Sequence, residues 1–378
     1  RAKQCRFVTP AAGQLPALEK KDGYQLAFIE FGNDGKRYDP RQMKQAVDLI
    51  RDERQDSEGK LTKPALVVAY VHGWKNNANA APPGQKKDVE KFQDALQAIA
   101  AQMKTPGGGQ AMPVIGIYLG WHGKSLELPS LLNWVSFWTH SFKARNVGRG
   151  QVQETLEEIR QVAKANNREA EVKPRLFYIG HSFGARVLEQ AEQFDNSSSR
   201  GTCKQLVAGE NASPPVDLIL YVNAATSSVL THQTIKECAI PAGTTNMLRH
   251  PEYHREFCAG HPGHQRCEPY PLFVSISSKT DLATRVLLPL AAFRFAAATV
   301  PSLNTHEVRE VTNGAVPADA LFSFDASRDG QRTYSVVPKK DAARQPFWIM
   351  RVDHPVIHDH GDIWNPDFMN MLLGLLGR

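Results

Sequence analysis

Six short runs of Val, Ile, Leu, Phe and Tyr punctuate this 378-residue chain: "ALVVAYVHG" (65–73), "PVIGIYLGW" (113–121), "RLFYIG" (175–180), "VDLILYVNA" (216–224), "PLFVSISS" (271–278) and "FWIMRVD" (347–353). Each is apolar nearly throughout rather than at every second position. A strand reads that way when both of its faces are covered, and helices are what cover a parallel sheet. Helical patterns lie between the runs, at 86–103, 152–166 and 183–194. Strand alternating with helix predicts the α/β class, a mostly parallel central sheet with helices on both faces. An earlier stretch, "YQLAFIEFG" (24–32), alternates more regularly and reads as an antiparallel strand at one edge. With 42% hydrophobic residues the chain can fill a substantial core, and a single domain over 1–378 is the expectation.

In such a sheet, ligands bind beyond the carboxyl ends of the strands, so the residues just after each run carry the functional information. After the third run comes Gly180-His181-Ser182-Phe183-Gly184, a G-x-S-x-G placed between a strand and a helix. That context describes a nucleophile elbow, in which the serine occupies a tight turn and the glycines let strand and helix approach. A serine that merely capped the helix would not need glycine on both sides.

A serine hydroxyl needs a base, and the base needs an acid to orient it. Asp281, in "SSKTDLATR" after the fifth run, is the candidate acid, although it is also a good N-cap for the residues that follow. Asp217 starts a strand and so stands at the wrong edge; Asp325 and Asp329 are lesser candidates. After the sixth run, "HPVIHDHGDIW" offers His354, His358 and His360. His360 is preferred as base because the following glycine suggests a mobile loop that could carry the ring to Ser182; His358 is the alternative. One oxyanion donor is expected to be the Phe183 N–H at a helix start, the other the Trp74 N–H in "YVHGWKNNANA", after the first run. His181, Trp121 and Trp138 are the candidates for touching substrate. Trp138 belongs to an apolar stripe with Leu131, Trp134, Val135 and Phe142 that reads as core or as a lid.

At these residues the sequence resembles the α/β-hydrolase superfamily, in particular a bacterial group of serine esterase- or lipase-like hydrolases: "VHGWKNN", "YLGWHG", "GHSFGARV", "SKTDLATR" and "HGDIW" follow in matching order over roughly 60–365. The resemblance implies a Ser182-Asp281-His360 triad on a sheet of about eight strands, with Trp74 and Phe183 as oxyanion donors and no cofactor. It implies cleavage of a small-molecule or lipid carboxylic ester through an acyl-enzyme. A lipase or phospholipase working at a membrane interface, and an idle hydrolase fold used for binding, are the alternatives. Two stretches depart from the pattern, a cysteine- and histidine-rich insert at 225–270, a candidate lid, and a long connection at 301–346.

The remaining features narrow the context. A net charge of +6 is spread over 45 basic and 39 acidic residues without a block of like charge, which does not point to nucleic acid. The longest apolar run, 286–293, holds a proline and lies between Arg285 and Arg294, too short to span a bilayer. A start at Arg1 and five cysteines in polar segments fit an exported, periplasmic or secreted protein, with Cys258–Cys267 and Cys203–Cys238 as disulfide candidates and Cys5 left over; a cytoplasmic protein with reduced thiols is the other reading. The insert "CAGHPGHQRC" fits no common structural zinc spacing, so no metal is expected.

Overall fold

The computed structural model describes residues 17–73, 76, 78, 85–104, 112–121, 141–166, 172, 174–191, 216–226, 228, 231, 256–258, 267–269, 271–281, 283–284, 300, 303–327, 330–339, 347–353 and 355–376. Trp74, Trp138, Asp329, His354, Cys5, Cys203 and Cys238 lie outside them. The chain divides into two compact units, Arg1–Gln193 with Pro215–Asp217, and Phe194–Pro214 with Leu218–Arg378.

In the first unit five strands, β1 (Leu18–Lys20), β2 (Tyr24–Phe31), β3 (Leu66–Val71), β4 (Val114–Trp121) and β5 (Arg175–His181), pair in the order β1-β2-β4-β3-β5. Every pair is parallel except β1 with β2. All residues of β3 and β4 are buried, which is the packing that near-continuous apolar runs require. The alternation in β2 has a different origin from the one expected. β2 is an interior strand running parallel to β4, and the antiparallel edge is β1. Its polar positions are matched rather than solvated: Gln42 accepts from the Glu30 backbone N–H and donates to the Glu30 carboxylate, both at 2.9 Å, and Gln25 donates to Glu53.

The helices α1 (Pro40–Arg54), α2 (Asp88–Met103), α3 (Gln153–Ala163) and α4 (Phe183–Ala191) accompany these strands. α1 starts where Asp39 accepts from the Arg41 N–H and Pro40 fills the first turn. It ends on Arg54, whose guanidinium is fully buried and donates to the carbonyls of Leu61, Lys63, Val162 and Ala165 at 2.7 to 3.3 Å. Burial lowers its pKa to about 10, so it stays charged and ties α1 to the end of α3.

In the second unit β6 (Leu218–Val222), β9 (Phe273–Ser278) and β13 (Phe347–Val352) form parallel pairs in the order β6-β9-β13. The chain is thus of the α/β class, with eight strands in these two sets and only one of them antiparallel. The 225–270 segment contains a short antiparallel pair, β7 (Glu256–Cys258) and β8 (Cys267–Pro269). The 301–346 connection carries an antiparallel sheet of its own, β10 (His306–Glu310), β11 (Phe322–Ala326) and β12 (Arg332–Pro338), in the order β10-β12-β11. After β13 the chain ends in α5 (Pro366–Leu375), capped by Asn365, whose side-chain oxygen accepts from the Asp367 and Phe368 N–H groups. Among the described residues no helix is long and apolar enough to cross a membrane.

Candidate active site

Ser182 stands between β5 and α4 with φ = 55°, a left-handed backbone that costs a non-glycine residue about 1–2 kcal/mol. Both neighbouring glycines are sterically required. A Cβ on Gly180 would stand 2.6 Å from the Ala185 Cα, and one on Gly184 would stand 2.0 Å from the Val71 carbonyl oxygen. The turn is therefore pressed against its own helix on one side and against the end of β3 on the other. A serine needed only as a helix cap requires neither approach.

The loop after β3 reaches the same spot. A Cβ on Gly73 would lie 3.0 Å from the Ser182 Cβ and 2.8 Å from the His181 Nδ1, so the residue immediately before Trp74 abuts the nucleophile candidate. His72 fixes that approach. Its ring is buried and stacked against Tyr118 and Trp121, with centroids 5.5 and 5.7 Å away. The Trp121 backbone N–H donates to His72 Nε2 at 3.0 Å, which leaves the ring proton on Nδ1, 2.8 Å from the Gly73 carbonyl oxygen that it meets as donor. Burial lowers the His72 pKa to about 4, so the ring is neutral near pH 7. The Trp121 indole N–H donates to the His72 carbonyl at 2.9 Å, and the residue is 3% exposed. The position expected to touch substrate thus braces the loop.

Beneath this loop lies a buried carboxylate that composition alone does not suggest. Asp88, the first residue of α2, accepts from the Tyr70 hydroxyl at 3.0 Å and from the Tyr118 hydroxyl at 2.9 Å. Tyr70 and Tyr118 face each other across the β3–β4 register. Burial raises the Asp88 pKa to about 6, against the two hydroxyls that favour its charge. Negative charge at a helix N-terminus is also favoured by the helix dipole.

In the second unit Asp281 and His360 meet. His360 Nδ1 lies 2.9 Å from Asp281 Oδ2; the carboxylate is fully buried, and the imidazole side chain is 32% exposed. Asp281 also caps the turn after β9. Its Oδ1 accepts from the Ala283 N–H at 2.8 Å, and the Thr284 hydroxyl donates to Oδ2 at 2.6 Å. The acid and cap readings of this residue are therefore compatible, because separate lone pairs serve them. Burial alone would push the Asp281 carboxyl up. The hydrogen bond and charge of His360, then Thr284 and Ala283, outweigh it and hold the pKa below the ordinary carboxylate value.

The segment that leads to His360 is tied by hydrogen bonds. The carbonyls of Val356, Ile357 and His358 accept from Asn365 at 2.8 Å, from Ser278 at 2.7 Å and from Thr280. His358 is held by its backbone, its N–H donating to Asp362 at 3.1 Å, and the residue that faces Asp281 is His360. Asp217 binds Lys164 at 2.9 Å and accepts from the Leu176 N–H at 2.6 Å, which makes it a tie at the start of β5. Asp325, on β11, accepts from Thr333 at 2.9 Å. Phe183 opens α4 and is buried. His181, the last residue of β5, is 5% exposed. Among the described residues no group of three or more His, Cys, Asp and Glu is placed to hold a metal ion. The residues missed from the sequence are Asp88 and Thr284. Thr284, three residues after Asp281, had a usable signal in its spacing; Asp88 is buried in the interior and had none.

No family model matches the chain, and no curated protein matches it. Among solved structures it is similar to the crystal structure of an uncharacterized protein from Pseudomonas aeruginosa, at 10% identity and a TM-score of 0.28, over 86% of this chain and 46% of that one. The chain spans less than half the length of that neighbour, and so weak a likeness says nothing of fold or chemistry.

Proposed function

We propose that the chain is a serine hydrolase of the α/β-hydrolase fold that cleaves carboxylic esters through an acyl-enzyme. The observation that carries the reading is the Ser182 turn, strained at φ = 55° and walled by glycines that admit no Cβ. The buried Asp281 on the His360 imidazole supplies the matching acid and base, in the chain order Ser, Asp, His.

In this reading the Ser182 oxygen attacks the ester carbonyl carbon while His360 Nε2 takes the hydroxyl proton. The Phe183 N–H and the Trp74 N–H of the neighbouring loop stabilise the oxyanion. The ester C–O bond breaks, the alcohol leaves with the proton from His360, and water repeats the sequence to release the acid and restore Ser182. Asp281 keeps the imidazole proton on Nδ1 and offsets its charge. No cofactor takes part.

Reaction with a fluorophosphonate probe tests the proposal directly, because only an activated serine displaces its leaving group. A single adduct mapped to Ser182 supports the reading. An intact protein with no adduct overturns it in favour of a binding role for the fold.

An exported location and a Cys258–Cys267 disulfide belong to the same proposal. The β7–β8 register sets these two residues opposite each other. Trypsin cuts after Arg266, between them, so a disulfide would hold two peptides together until reductant is added. Separate peptides in an unreduced digest of protein purified from its native compartment would rule the pairing out.

A further inference from the structure

Directly after β6, Asn223 adopts φ = 44° and is fully buried. Its own N–H donates to the Ile276 carbonyl at 2.8 Å, which fixes it to β9. Its side chain spans two further segments. Oδ1 accepts from the Ser278 N–H at 2.9 Å, and Nδ2 donates to the carbonyls of Asp359 and His360, each at 3.1 Å. All three partners are backbone groups of fixed polarity, so the amide can face only one way. Ser278 lies three residues before Asp281, and the Nδ2 partners include the carbonyl of the imidazole-bearing residue itself. One side chain thus joins the segment that carries the acid to the loop that carries the base.

The residue type fits this task closely. A backbone at φ = 44° is tolerated by Gly, Asn and Asp at the least cost. Gly has no side chain to bridge with, and Asp would turn a second carboxylate oxygen toward two carbonyl oxygens. Only asparagine provides one acceptor and two donors from that backbone.

We infer that Asn223 is a positioning residue that sets the His360 imidazole on Asp281. Its catalytic consequence rests on the serine-hydrolase reading; its effect on the Asp281–His360 pair does not, and the two are measured separately. A ring N–H donated to a buried carboxylate gives a far-downfield proton resonance, assigned here by its loss in His360→Gln. In Asn223→Gly, which keeps the backbone conformation, and in Asn223→Asp, which keeps the volume, the resonance should shift or broaden. Turnover of a p-nitrophenyl ester should fall by roughly tenfold to a hundredfold at unchanged KM. A purely structural staple would lower the melting temperature and leave both the resonance and kcat of the folded protein as in wild type, and that result overturns the inference. A wild-type spectrum with no His360-dependent signal overturns it as well. A normal wild-type signal without ester hydrolysis or Ser182 labelling sinks the hydrolase reading instead, and the spectra of the variants still decide the role of Asn223.

Discussion

Ser182→Ala is expected to abolish hydrolysis of short p-nitrophenyl esters, on the order of a million-fold in kcat, while leaving the fold in place. Removing the Oγ takes away the group that forms the covalent intermediate. What remains is binding and oxyanion stabilisation, which in serine hydrolases stripped of their nucleophile still exceed the uncatalysed rate. The melting temperature should move little, because alanine keeps the Cβ and the backbone of a turn at φ = 55° that Gly73, Gly180 and Gly184 leave room for. Ser182→Gly adds a second readout. Glycine relieves the left-handed strain and should be more stable than the alanine variant by about 1 kcal/mol, with the same loss of rate. Ester turnover by pure Ser182→Ala protein at the wild-type rate would remove the nucleophile from the proposal.

Asp281→Asn should lower kcat by about ten-thousand-fold with a folded protein and little change in KM. The asparagine carbonyl can keep the Ala283 N–H bond, but its NH2 would then face His360 Nδ1, a donor against a donor. The imidazole escapes by moving its proton to Nε2, which removes the lone pair that must accept from serine. The pH dependence follows from the depressed Asp281 pKa. A carboxyl that titrates lower in the folded state contributes stability that is complete above about pH 4 and is lost as the pH falls through its folded value. Wild type should therefore exceed Asp281→Asn in melting temperature at neutral pH and converge with it only in acid below about pH 4. A melting difference that instead vanished between neutral pH and about pH 5 would show that the carboxylate is not held by His360 as described.

The Asp281–His360 contact and the strained serine turn show which features the sequence made legible. G-x-S-x-G was legible because both glycines answer to local geometry: one meets Ala185 in the next turn, the other the end of the neighbouring strand. Asp281 and His360 were singled out by chain order and by position after a strand, and the structure places their side chains 2.9 Å apart. The reason attached to His360 was the glycine at 361, whereas the hydrogen bonds that tie 356–358 come from Ser278, Thr280 and Asn365, which no local pattern signals. In β2, alternation signalled solvent on one face, whereas Gln42 supplies a buried partner for Glu30. Periodicity counts polar residues and cannot see who pairs with them.

By itself the sequence determined the six apolar strands and the three helical stretches between them, because burial on both faces leaves continuous apolar runs, as in β3 and β4, and amphipathic helices leave a period of their own. It also supplied the candidate reactive groups, since a hydroxyl, an imidazole and a carboxylate are matters of side-chain type. The tertiary structure decided how those atoms are held. His72 is neutral because it is buried and receives the Trp121 N–H; Asp88 is buried between two tyrosine hydroxyls; Asn223, just after β6, binds the backbone of His360 from more than 130 positions earlier in the chain. Such bonds depend on distances between segments far apart in sequence, and only packing brings those segments together.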